Sequence, residues 1–144
     1  MVTYKKKKYY KDNFKCILKK ELVIQQIFEI INPYNPYAVY LYGSTAREKN
    51  NENSDVDIFV IWKKIPNNII INEIHNKLYR AFNRKVDFVN YQYNGRSIKI
   101  DYTSKCFIQN VISDAVSIIE QDNKGIAIKE IHFDFDDGFD LVYT

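Results

Sequence analysis

The stretch Leu41-Tyr42-Gly43-Ser44, followed ten residues later by Asp55-Val56-Asp57-Ile58-Phe59-Val60, decides how this chain folds. Residues 38–42 are short, apolar and β-prone, and the run stops at Gly43, so they read as a first strand. Residues 44–54 are polar, with Asn50, Asn51 and Asn53 clustered, and read as a loop with one helical turn near Ala46. A second strand is expected over residues 55–62. Side chains alternate along a strand, so Asp55 and Asp57 point to one face while Val56 and Ile58 point to the other. Two carboxylates on one face repel unless solvent or a cation lies between them, and a hard divalent ion such as Mg²⁺ takes oxygen ligands of this kind. Gly43 lets the backbone approach a ligand closely, and the Ser44 hydroxyl with nearby amides can donate to phosphate oxygens. The ten-residue spacer, 45–54, is long enough to loop out and return as a neighbouring strand, which would turn serine and carboxylates toward one cleft.

Upstream, Phe14, Ile17, Leu18, Leu22, Ile24, Ile27, Phe28 and Ile31 recur at three- and four-residue steps. That pattern predicts an amphipathic helix, capped at Asp12 or Asn13 and ended by Asn32-Pro33. Downstream, Ile70, Ile71, Ile74, Leu78, Tyr79 and Phe82 after Pro66 predict a second amphipathic helix, and residues 85–91 a third strand that contains Asp87. Asn94-Gly95 is a hairpin signal, so residues 97–102 are expected to return as a strand. Phe107, Val111, Ala115, Ile118 and Ile119 fall on one face of a last helix, closed by Asp122-Asn123 and Gly125. Residues 126–133 and 139–143 flank Asp136-Asp137-Gly138 and read as a two-stranded, hairpin-like unit of their own or as an addition to the sheet edge. The whole is an α+β two-layer arrangement, a mixed sheet with helices packed on it. One domain is expected over 1–144: a core of about 12–120, a basic segment 1–11 and a hairpin-like extension 124–144.

Composition narrows the function. With 46% hydrophobic, 15% aromatic and 27% charged residues, the chain can bury a core and does not resemble a disordered or fibrous polypeptide. No apolar run approaches the ~20 residues that cross a bilayer, and no signal-like stretch follows the first residues, so a cytoplasmic protein is expected. The net charge of +3 is modest, and much of the excess lies in residues 5–20. Lys5-Lys6-Lys7-Lys8 among Tyr4, Tyr9 and Tyr10 would suit nucleic acid, though a solvated terminus explains it more simply. Cys16 and Cys106 are expected as packed thiols on two helices, without a disulfide. His75 and His132 stand alone, which argues against zinc, and Phe133 and Phe135 occupy the ligand positions an EF-hand would need. Ser44 lacks the surroundings of a nucleophilic serine.

Gly43-Ser44, the ten-residue spacer and Asp55-Val56-Asp57 match the Gly-Ser-x10-Asp-x-Asp signature of the DNA polymerase β-like nucleotidyltransferase superfamily. The chain most resembles its minimal nucleotidyltransferases (MNT), small proteins that include antitoxin partners of HEPN-domain toxins. The resemblance covers about residues 36–120 and extends to Asp87 in a later strand. It implies that Gly43 and Ser44 hold the β- and γ-phosphates of ATP or another nucleoside triphosphate. Asp55 and Asp57 would bind Mg²⁺, and Asp87 a second Mg²⁺ while helping to deprotonate the attacking hydroxyl. The implied reaction is in-line attack on the α-phosphorus with release of pyrophosphate. Arg47 matches an arginine that many of these proteins carry and would reach the phosphates, but Glu48 stands where many relatives have glycine.

The leading expectation is a transferase that moves AMP onto a hydroxyl of a protein or other acceptor, as the MNT antitoxin of a HEPN toxin pair. The alternatives are a non-catalytic partner-binding module of the same fold, and a transferase acting on RNA ends or, as a homo-oligomer, on a small molecule.

Overall fold

The structure, a computed structural model, describes residues 18–121 and 127–136. In chain order the elements are α1 (Lys20–Ile31), β1 (Ala38–Tyr42), the single turn α2 (Gly43–Ala46), β2 (Val56–Trp62), α3 (Asn68–Phe82), β3 (Val86–Gln92), β4 (Ser97–Asp101), α4 (Lys105–Asp114), β5 (Val116–Glu120), the turn α5 (Ala127–Glu130) and β6 (His132–Asp136). Four strands form a mixed sheet in the order β3-β2-β1-β5. β1 runs antiparallel to both β2 and β5, whereas β2 and β3 run parallel.

Period-two alternation gives the sheet two apolar faces. Val39 and Leu41 of β1, Val56, Ile58, Val60 and Trp62 of β2, and Val86 of β3 pack with Val23, Ile27 and Ile31 of α1 and Ile74, Leu78 and Phe82 of α3. Burial of each such side chain contributes about 1.5–3 kcal/mol. The Trp62 indole N–H donates to Asn90 Oδ1 at 2.7 Å, so its polar edge is satisfied between β2 and β3. The opposite face, with Ala38, Tyr40, Tyr42, Phe59 and Ile61, is covered by Ile98 and Ile100 of β4, Ile108 and Val111 of α4, and Ile128 and Ile131. α3 starts where Asn67 Oδ1 accepts from the Ile70 amide at 3.0 Å. It ends at Asn83, whose φ of 51° suits asparagine.

Five sequence expectations are corrected. Residues 116–119 are not the end of a helix: α4 stops at Asp114, Ala115 turns to an extended ψ of 130°, and β5 then pairs with the free edge of β1. Spacing alone could not separate the two, because β-branched Val116, Ile118 and Ile119 suit a strand as well as a helical stripe. The Asn94-Gly95 turn does form, but β4 makes only one bridge back, Tyr93 to Ile98, and instead pairs in parallel with β6. Within the tail, residues 127–130 form a helical turn, while the return arm at 139–143 lies outside the described residues. Finally, Lys19 precedes the first helical residue of α1, and Leu22 and Phe28 are exposed, so the buried stripe is Val23, Ile27 and Ile31. The expected caps Asp12 and Asn13, the basic run and Cys16 lie outside the described residues, and Cys106 on α4 is exposed rather than packed. No helix among the described residues is long and apolar enough to cross a membrane.

The ten-residue spacer is held at its middle and at its far end. Asn50, buried, accepts from the Leu18 amide at 3.0 Å and donates to the Leu18 carbonyl at 3.1 Å. The Arg84 guanidinium donates to the carbonyls of Asn51 and Ser54 at 3.1 and 3.3 Å. Glu48 sits at φ 60°, a left-handed conformation that costs a residue with a Cβ about 1–2 kcal/mol. Its ion pair with Lys20, 3.6 Å and exposed at the glutamate, returns little. Glu48→Gly is therefore expected to stabilise the chain by about 0.5–1 kcal/mol, after the extra chain entropy of glycine is subtracted. Urea unfolding measures this, and a loss of stability would show that the Lys20 contact outweighs the strain.

Candidate active site

Register brings the site together. Tyr42 pairs with Asp57 across β1 and β2, and Asp57 with Asp87 across β2 and β3. The three residues form one row across the sheet, on the face that also carries Phe59, because their neighbours Leu41, Val56, Ile58 and Val86 all face the helices α1 and α3. Asp55 lies just before β2, two residues from Asp57, and its carboxylate is 3.9 Å from the Lys85 ammonium in an exposed contact. Among the described residues no set of three or more histidine, cysteine, aspartate and glutamate side chains stands at metal-ligand spacing. The close pair is Asp57 with Asp87.

The electrostatics of that pair follow from its position. The Asp57 carboxyl is pushed up from its ordinary value of 3.8 to about 7, by burial first, then by the charges of Asp87 and Asp55 and a side-chain hydrogen bond with Asp87, against an opposing pull from Arg47. Two carboxylates in one row of a sheet cannot both ionise at low cost, so without another cation Asp57 keeps its proton well above the ordinary carboxylate range. A hard divalent ion can take the place of that proton, with carboxylate oxygens as ligands. Burial, then the charges of Asp57, Asp87 and Tyr91, raise the Tyr42 hydroxyl above its usual range as well. That hydroxyl is buried with no hydrogen-bond partner among the described residues, and its ring packs edge-on against Phe107 at 5.7 Å.

Gly43 follows Tyr42 at φ 77°, and a Cβ placed on it would lie 2.2 Å from Asp57 Oδ2. Any side chain there would displace the carboxylate, so the glycine is required by the acid across the strand pair. Gly43 opens α2, which turns the chain so that the Arg47 amide donates to the Gly43 carbonyl at 3.1 Å and the Lys49 amide to the Ser44 carbonyl at 2.8 Å. Ser44 thus sits half-exposed, one residue past the glycine that touches Asp57. The Arg47 guanidinium reaches Asp114 at the end of α4, Nη1 to Oδ2 at 2.5 Å.

The structure therefore gathers Gly43, Asp57 and Asp87, with Ser44 and Asp55 each one or two residues away along the chain and Arg47 close enough to act on Asp57. Tyr42 and Asp114 were missed. Tyr42 was legible as the next residue of the same face in β1, but Asp114 carried no local signal, since its partner is 67 residues away.

A family model described as polymerase beta, nucleotidyltransferase, matches residues 25–124. The chain belongs to this nucleotidyltransferase family and is one of its minimal members. No curated protein matches it significantly in sequence. Among solved structures, a chain of a toxin–antitoxin crystal structure with AMP-PNP superposes at a TM-score of 0.55 and 25% identity, over 74% of this chain and 82% of that one. A chain of the toxin–antitoxin MntA-HepT gives 0.50 and 25%, over 76% and 81%. A complex of a tri-AMPylated Shewanella oneidensis HEPN toxin with an MNT antitoxin is alike in fold, at 0.51 and 24% over 76% and 82%.

The raised Asp57 carboxyl makes stability depend on pH. Folded chain holds a proton there that unfolded chain has released, so the cost is absent below 3.8, grows as pH rises toward about 7 and is complete above it. Asp57→Asn should therefore gain stability relative to the native chain between pH 5 and pH 8 in metal-free buffer. The gain should be on the order of 1–2 kcal/mol, because a half-buried carboxyl screened by solvent realises only part of the shift. Urea unfolding of both proteins at the two pH values measures it, and equal differences at both would exclude the strained pair.

Proposed function

We propose that this nucleotidyltransferase transfers AMP from ATP to a hydroxyl of a protein acceptor with Mg²⁺, as the antitoxin partner of a HEPN-type toxin. The single observation that carries the reading is the Asp57–Asp87 pair, with Gly43 closed against Asp57 Oδ2. The donor set, carboxylate oxygens in mutual repulsion, fits a hard divalent cation held by Asp57 and Asp87 with Asp55 beside them. Bound there, Mg²⁺ would supply positive charge against the triphosphate oxygens.

The chain's own groups would do the rest. Ser44 and the amides of its turn would donate to the β- and γ-phosphates. Arg47 would add a second set of donors. Asp87, on the edge strand β3 and exposed, is open to an acceptor hydroxyl and would take its proton. The hydroxyl oxygen then forms its bond to the α-phosphorus as the bond to pyrophosphate breaks. Adenine and the toxin partner are suggested by the toxin–antitoxin likenesses, one of which carries AMP-PNP. Consumption of a triphosphate fits a cytoplasmic protein.

Incubation of the full chain with a purified HEPN-domain toxin, Mg²⁺ and ATP labelled at the α- or the γ-phosphorus tests this. Label from the α-position should appear on the toxin and label from the γ-position should not. Asp57→Asn and Asp87→Asn should each lower transfer by at least about a hundredfold. Transfer that persists in both variants would overturn the assignment of the acids.

A further inference from the structure

Arg47 and Asp114 are joined although nothing in their local sequence pairs them. Arg47 ends the α2 turn that grows out of β1, and its amide is fixed to the Gly43 carbonyl. Asp114 ends α4, two residues before Val116, which pairs with Leu41 of β1. The ion pair thus ties the outlet of β1 to the entry of the adjacent β5, and both of its backbones are anchored to the same sheet. It is an odd place for an acid: the last turn of a helix carries the negative end of the dipole, and a carboxylate there is disfavoured. The Asp114 side chain is also only 19% exposed, so without Arg47 it would be a poorly solvated charge in an unfavourable field. Among the described residues no second ion pair to Asp114 is recorded, so its compensation comes from Arg47.

Only one nitrogen of the guanidinium is used in that contact. Arg47 is 48% exposed, and its backbone amide is held by the carbonyl of Gly43, the residue closed against Asp57 Oδ2. A guanidinium carries five N–H donors in a rigid fork, so one edge can be held by a carboxylate while another is offered to phosphate. We infer that Asp114 is a positioning residue for the triphosphate: it grips Arg47 through Nη1 and presents the remaining donors beside Gly43 and Ser44. Its value lies in pre-organisation, since a long half-exposed arginine would otherwise have to be ordered when the nucleotide arrives. The opposite role, a latch in which Asp114 competes with phosphate for Arg47, predicts the opposite sign.

This inference rests on the nucleotide site proposed above, and calorimetric titration of the full chain with Mg²⁺ and AMP-PNP separates the two. Asp114→Asn and Asp114→Ala should each weaken AMP-PNP about 3- to 10-fold, the value of ordering one rotamer-rich side chain in advance. Binding of adenosine, which lacks phosphates, should not change. Arg47→Ala should weaken AMP-PNP at least as much, and adding Asp114→Ala to it should cost little more, a non-additivity that a purely structural role would not produce. Asp114→Glu should recover part of the loss, and Asp114→Asn, of equal size, serves if the alanine variant does not fold. If native chain binds AMP-PNP and Asp114→Asn binds it equally or more tightly, the positioning role falls and the nucleotide site stands. If native chain binds no AMP-PNP with Mg²⁺, both fall.

Discussion

The repulsion between Asp57 and Asp87 organises this molecule's chemistry. Parallel pairing of β2 with β3 sets the two carboxylates side by side in one row, and the flanking apolar residues fix which way they point. A one-residue slip of β3 would bury Asp87 under α3 and turn Val86 outward, so the hydrophobic pattern that builds the core also enforces the charge conflict. Stability is lost there, as at many functional sites where local rules are broken, and the proposed cation would relieve the conflict.

The surrounding elements serve that row. β1 brings Tyr42 beside Asp57 and then must leave the sheet without touching the carboxylate, which only glycine allows at position 43. The spacer that follows is pinned by Asn50 to the start of α1 and by Arg84 beyond α3, so the loop behind Ser44 is tied to two other elements. α4 covers the site's apolar flank through Phe107 and closes its far side through Asp114. β5, which follows α4 directly, locks that arrangement by completing the free edge of β1.

Much of this was legible because it is local. Strand alternation set Asp57 opposite Val56 and Ile58, with Asp55 falling one residue before β2, and the apolar run into Gly43 marked β1 with its observed ends. The left-handed backbone at Glu48 was not foreseen, but the departure from glycine at that position flagged where it occurs. What stayed hidden depends on partners distant in the chain. Residues 116–119 became a strand because an open edge of β1 offered hydrogen bonds, and β4 left its hairpin because Ile98 and Ile100 bury better under the sheet, beside Phe133 and Phe135 of β6. Asp114 gained meaning only through Arg47, and Tyr42 only through the register that sets it beside Asp57.

Anomalous diffraction from crystals grown with Mn²⁺, in place of Mg²⁺, and AMP-PNP reports the cation's position without reference to any reaction. Manganese density between the carboxylates of Asp57 and Asp87, with the phosphates lying along Gly43 and Ser44, is the predicted result. Bound nucleotide with manganese ligated by neither acid would contradict it.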